Sequence, residues 1–308
     1  VVEDWLVVML ARGFAFSAPL LLAALGEIVT ERAGVINLGV EGMMILGALS
    51  AFAVADASGS VWLGVLAAMA VGGLAALSHA FFSVTLRANQ YVSGLALTMV
   101  GLGLSGLLGK SFAGRPLAHP MPRADVPLLK DLPVLGPGVF TDQSPLLYLG
   151  FLAAFALWFF LYKTRSGIVL RSVGENPTAA DVLGVNVDLV RYLAVVFGGV
   201  MAGVAGAYLS LAYRPSWTEG MTAGLGWIAL AIVIFASWDP LRAVGAAFVF
   251  GAFYHLAYRF QAYLAPEFLK MTPYLFTILF LVLSALGKSV RLGAPEALGR
   301  PYIRGERS

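Results

Sequence analysis

Residues 26–48 read GEIVTERAGVINLGVEGMMILGA and set an amide, Asn37, four positions before a carboxylate, Glu41, inside an apolar neighbourhood. At that spacing both side chains can point along one helix face, where they could hydrogen-bond a polar solute or, for Glu41, couple transport to an ion. Gly34, Gly39 and Gly42 lower helix propensity around them, the pattern of a discontinuous helix whose freed backbone groups line a cavity. The competing reading, in which Glu41 sits near the interface or fixes a bend by bonding nearby backbone, ranks ahead of chemistry. Asn89, Gln90 and Ser93 open a later apolar block and could line the inner mouth of a pathway, although an interfacial helix cap explains them as well. Trp227 offers a ring for stacking. His79 reads more readily as a satisfied bundle histidine than as a ligand.

Other sequence signals of chemistry fail on context. His79, His119 and His255 are scattered, and a chain without cysteine has no disulfide, thiolate metal site or cysteine nucleophile. Gly101, Gly103 and Gly106 spell GxGxxG, yet they lie within an apolar helix rather than after a strand. Lys110-Ser111 and Lys288-Ser289 follow glycine as in a phosphate loop, but Leu104 and Val282 occupy the upstream glycine's place, so no nucleotide-binding loop is present. Gly199 and Gly203 form GxxxG, with Gly206 nearby, and announce close helix packing.

The elements that must carry these residues are membrane helices. Of the 308 residues, 59% are hydrophobic and 12% charged, with mean hydropathy +0.85. That is about half the charged content of a soluble protein. Apolar windows predict helices near 5–26, 35–55, 61–86, 91–110, 145–162, 190–212, 223–237, 243–260 and 272–288, an all-α polytopic bundle of eight to ten spans forming one membrane domain over 1–308. The first block is too long for a cleaved leader and is expected to stay as a helix. Basic residues sit in loops and tail rather than in one solvated stripe, which argues for positive-inside sorting and against nucleic acid. That rule puts residues 163–191 and the C-terminus in the cytoplasm and the proline-rich loop 111–144 outside.

The 163–191 island, KTRSGIVLRSVGENPTAADVLGVNVDLVR, contains one short punctuated helix. Asn176 is a cap, Pro177 suits the first helical position and Gly184 the left-handed stop. Two turns between them are too few to stand alone in water, so this helix needs something to dock on.

Four segments resemble permease subunits of bacterial ABC importers, in the branch of simple-sugar and branched-chain amino-acid permeases and most closely its nucleoside type. They are GEIVTERAGVINLGVEGMMILGA from Gly26, GIVLRSVGENPTAADVLGVNV from Gly167, GLGWIALAIVIFASWDPLRA from Gly224 and PEALGRPY from Pro295. The resemblance implies a type II importer fold in the bacterial inner membrane. It also implies a second related permease, cytoplasmic ATP-binding cassette subunits that hold the ATP and magnesium, and an external substrate-binding lipoprotein. This chain would bind no cofactor and catalyse nothing itself. The family's coupling element maps onto Gly174, Glu175, Asn176, Pro177, Ala179, Ala180 and Gly184. Small Ala179 and Ala180 would seat in a groove of the ATPase, with Arg171, Glu175 and Asp181 setting polar register. Before the tryptophan of the third segment, where the family often shows glycine and asparagine, this chain has Ala236 and Ser237.

Two rivals follow from the same residues. An ion-driven carrier would use Glu41 and need no ATPase, but such carriers concentrate several ionisable groups in their core. A scaffold subunit would pack helices without moving solute. Among importers, simple sugars stand beside nucleosides as cargo.

Overall fold

The computed structural model describes residues 2–259, 268, 271–272, 274–279, 282 and 293–304. Among these the chain is helical, with isolated bridges but no strand. The helices are α1 (Val2–Arg32), α2 (Val40–Ser58), α3 (Val61–Ala80), α4 (Gln90–Gly109), α5 (Pro145–Lys163), α6 (Arg165–Glu175), α7 (Pro177–Val182), α8 (Val187–Tyr208), α9 (Leu225–Phe235) and α10 (Pro240–Arg259). Local chemistry sets many of their starts. Asn89, Ser144, Thr164, Asn176 and Asn186 each accept a backbone N–H of the first turn, and Pro145 and Pro177 follow two of those caps.

Six helical stretches are long and apolar enough to cross a bilayer: 5–32, 40–58, 61–85, 90–112, 145–163 and 187–213. The protein is therefore a multi-pass helical membrane protein. The expected window at 223–237 is an 11-residue helix, α9, about 16 Å long and half of what a span requires. The window at 243–260 corresponds to α10. The window at 272–288 lies mostly outside the described residues.

Helices α1, α2, α3, α8 and α10 form the centre, and glycine lets the backbones meet. A methyl group on Gly203 would stand 2.1 Å from the Ala68 carbonyl oxygen, and one on Gly206 would stand 2.0 Å from that of Met44. The GxxxG of α8 is thus the seam against α2 and α3. The GxGxxG glycines serve packing too, since Gly101 abuts the backbone of Gly42.

Helix α1, 31 residues and about 46 Å long, defines two ends of the molecule. At one, the 113–144 loop is ordered against the first turns of α1 and the chain after α8. Gln143 donates to the Ala11 carbonyl, Met121 N–H to Leu211, and Trp217 is buried against Gly109. At the other end lie α6, α7 and residues 293–304. Midway, Pro19 has no N–H to offer the Ala15 carbonyl, and the hydroxyl of Tyr208 on α8 donates to that oxygen instead at 2.6 Å.

Candidate functional site

After Arg32 the chain leaves the helix and turns back into the bundle as an extended link, residues 35–37, before α2 begins. The shared helix face expected for Asn37 and Glu41 does not form, because α2 starts at Val40. Glycine at 34, with φ +88°, makes the reversal. The backbone groups of this link, buried away from water, must be satisfied by side chains. Gln90 Oε1 accepts the Ile36 N–H at 2.8 Å, while His79 Nε2 lies 3.1 Å from the Ile36 carbonyl and Nδ1 3.0 Å from the Ser93 hydroxyl. His79 therefore donates through Nε2 to that carbonyl, and in the matching neutral tautomer its Nδ1 accepts from Ser93. Asn37 donates to Glu27 at 2.9 Å and accepts the Gly39 N–H at 3.0 Å. Asn89 caps α4, accepting from Tyr91 and Val92.

Glu41 looks the other way. Its Oε1 accepts the Thr222 hydroxyl at 2.6 Å and the Gly224 N–H at 2.9 Å, and its Oε2 accepts the Gly226 N–H at 2.7 Å. These donors form the N-terminus of α9, which starts inside the bundle and ends near Trp238 and the last turn of α1. The carboxylate offsets both the orphan N–H groups and the partial positive charge of that end. Gly226 is required here, because a Cβ would come within 2.6 Å of the Glu41 backbone. Sequence reasoning missed Thr222, Gly224 and Gly226, which lie about 180 residues downstream in a run that only a glycine pair distinguishes. Trp227 projects outward from α9, 41% exposed.

Beyond α9 the chain reverses at Ser237 and Trp238, both at positive φ (53° and 56°). Ser237 stands in the place where the resemblance leads one to expect asparagine, which tolerates left-handed backbone, whereas Ala236, in the place expected for glycine, is right-handed (φ −76°). The turn is held by two side chains of α1's last turn: Glu31 accepts the Trp238 indole N–H, and Arg32 donates to the carbonyls of Ser237 and Trp238.

At this same end the punctuated helix forms as its sequence indicates. Asn176 Oδ1 accepts the Ala179 N–H at 2.9 Å, Pro177 opens α7, and Gly184 stops it at φ +86°. Gly174 lies so close to α1 that a Cβ would stand 2.1 Å from the Arg32 carbonyl oxygen. Arg171 turns inward, donating to the Leu161 carbonyl and stacking over Tyr162, and Glu175 accepts the Glu296 N–H. Ala179 and Ala180 part company: Ala179 is exposed, whereas Ala180 is 2% exposed and packs on Val173, Val187 and Tyr302 of its own chain. The groove that seats Ala180 is therefore intramolecular. What α7 turns to solvent is apolar, with Val182 81% and Leu183 84% exposed. Burial and a hydrogen bond to Asp181 hold the neighbouring Tyr302 hydroxyl above its ordinary pKa.

A separate cavity of about 290 Å³ opens at the loop end of the bundle, lined by Arg12, Phe16, Arg123, Asp142, Tyr213 and Tyr254 among others. Phe16 stacks on Tyr254 at 3.9 Å between centroids. These positions are dispersed through the sequence and carry no motif.

A buried half-helix with its dipole matched by an intramembrane carboxylate, in a bundle with a short external helix, is the architecture of a membrane transport subunit. The chain belongs to the family described as branched-chain amino acid transport system / permease component, whose profile matches residues 9–284. Among its relatives, TsgC13 of Haloferax volcanii, whose name assigns it provisionally as a glucose ABC transporter permease, is 40% identical over 92% of this chain and 94% of its own. The guanosine ABC transporter permease NupQ of Bacillus subtilis is 38% identical over 95% of each chain. The nucleoside ABC transporter permease NupC of Lactococcus lactis is 36% identical over 98% of this chain and 99% of its own.

Proposed function

We propose that this chain is the membrane-spanning permease subunit of an ATP-driven ABC importer for nucleosides, moved between inward- and outward-open states through α7. The observation that carries this reading is the two-sidedness of that helix. Its inner side is seated on the chain by Ala180, and its outer side presents Val182 and Leu183 to solvent. An exposed apolar pair on a charged segment is a contact waiting for a protein surface. A cytoplasmic ATP-binding cassette subunit supplies that surface, holding the ATP and magnesium, and places residues 163–191 and 293–304 in the cytoplasm. A second related permease completes the membrane unit, and a lipoprotein outside delivers cargo to the loop end.

Nucleosides are the favoured cargo because two relatives of high coverage carry nucleoside names, and because the loop-end cavity combines aromatic rings with hydrogen-bonding side chains. Simple sugars are the second reading, supported by the 40% identity to TsgC13. An ion-coupled carrier has less support, since both Glu41 oxygens already accept from protein donors. The test is Leu183→Asp in the complex purified with its ATPase. A tenfold or greater loss of ATPase association and of guanosine uptake, with the permease still inserted and its thermal stability unchanged, is expected. Wild-type uptake by this chain without any ATPase would overturn the proposal, and competition by glucose rather than guanosine would reassign the cargo.

A further inference from the structure

Helix α7 does not occupy its end of the bundle alone. Residues 295–304 run beside it as a strap, tied down from both directions. Ala297 N–H donates to the Gly174 carbonyl at 2.9 Å, Gly299 N–H to Gly34 at 3.1 Å and Glu296 N–H to the Glu175 carboxylate at 3.3 Å. Arg191, almost fully buried in α8, donates to the Arg300 carbonyl at 3.1 Å. Arg304 meets Asp181 at 3.2 Å, and Tyr302 is buried with Val173, Ala180 and Val187 beneath α7. The backbone bonds go to Gly174, which packs directly on the Arg32 carbonyl of α1, and to Gly34, whose left-handed backbone (φ +88°) favours glycine.

Between strap and helix lies a cleft of about 340 Å³, with Glu175, Pro177 and Thr178 on one wall and Glu296, Arg300 and Tyr302 on the other. Thr178 on the helix wall stands four residues before Val182, along the same face of α7. A body that covers Val182 and Leu183 also meets the mouth of this cleft, because the strap is pinned to the same helix by Asp181 and Ala180. Acidic Glu175 and Glu296 facing Arg300 suit a polar or charged side chain rather than an apolar one.

The geometry points to a docking surface made of two parts: the ATPase contacts strap residues 296–303 together with α7 and inserts a polar side chain into the cleft between them. This rests on the reading of α7 as the ATPase contact and adds the partner's second foothold. The strap also reaches Gly34, where the chain reverses into the link that carries Asn37, so the surface that receives the ATPase is bonded to the start of the re-entrant segment.

A chain with no cysteine of its own allows a direct test. Single Thr178→Cys, Arg300→Cys and, at the opposite end, Arg115→Cys variants are labelled with a fluorescent maleimide, first in the purified permease and then in the complex with its ATPase. All three are expected to label in the permease alone, and assembly is expected to slow labelling at 178 and 300 by tenfold or more while leaving 115 unchanged. Protection at 178 with full reactivity at 300 would remove the strap from the interface and leave the α7 reading standing. Full reactivity at both would sink the two together. Failure of the 300 variant to label in the permease alone would contradict the open cleft itself.

Discussion

The link at 34–41 and the island at 163–191 are both polar interruptions in an apolar chain, but they treat their polar groups in opposite ways. Around the link, Gln90, His79, Asn37 and Glu41 are buried and each hydrogen-bonds backbone, with Ser93 bonded in turn to His79. Around the island, α7 satisfies its first turn locally through Asn176 and leaves an apolar edge uncovered. Polarity within lipid depth is thus used to close a broken backbone, whereas apolar surface outside it is used to stay open. The first arrangement specifies the fold; the second leaves free the surface on which the proposed ATPase contact rests.

Substitutions separate the two behaviours. Glu41→Gln has the largest expected effect, since an amide cannot accept from the Thr222, Gly224 and Gly226 donors with both its terminal atoms. Loss of charge-assisted bonds and a buried N–H facing an NH2 group should destabilise the bundle by about 3 kcal/mol, read as a lowered thermal midpoint in detergent. An unchanged midpoint would mean that α9 is not held by this carboxylate. Ala180→Leu comes next, overfilling the space between Val173, Val187 and Tyr302 at about 1–3 kcal/mol. It should raise proteolysis of the α7 segment even in the permease without ATPase, because the seat is intramolecular; normal resistance would place Ala180 outside the core. Asn176→Ala is the mildest, about 1 kcal/mol for a lost cap, and should speed hydrogen exchange over 177–183 while sparing the α2–α9 contact.

The contrast also explains what could be read in advance. Helix α7 was legible because its determinants are local: a cap, a proline and a glycine within nine positions, each acting on its own neighbours. The long apolar stretches and the close packing of Gly199, Gly203 and Gly206 were legible from composition and spacing. The partners of Glu41 were not, since the hydrogen bonds join residues 181 to 185 positions apart and nothing in the local pattern records that distance. The four-residue spacing of Asn37 and Glu41 misled for a related reason. It presumes a continuous helix, and Gly34 and Gly39 instead allow an extended link in which the two side chains face different neighbours. Likewise Ala180 reads as a small outward residue until its packing on Tyr302, more than 100 positions away, is seen.

The repair of α1 at Pro19 has a mechanical corollary. Because the Ala15 carbonyl is satisfied by a hydroxyl from α8 rather than by its own helix, sliding either helix along the other would break that bond and leave the oxygen facing the loop-end cavity that Ala15 and Tyr208 both line, at a cost of about 1 kcal/mol. The bond therefore resists shear between the pair: a swing of α1 and α8 as one block would keep it, whereas sliding between them would break it.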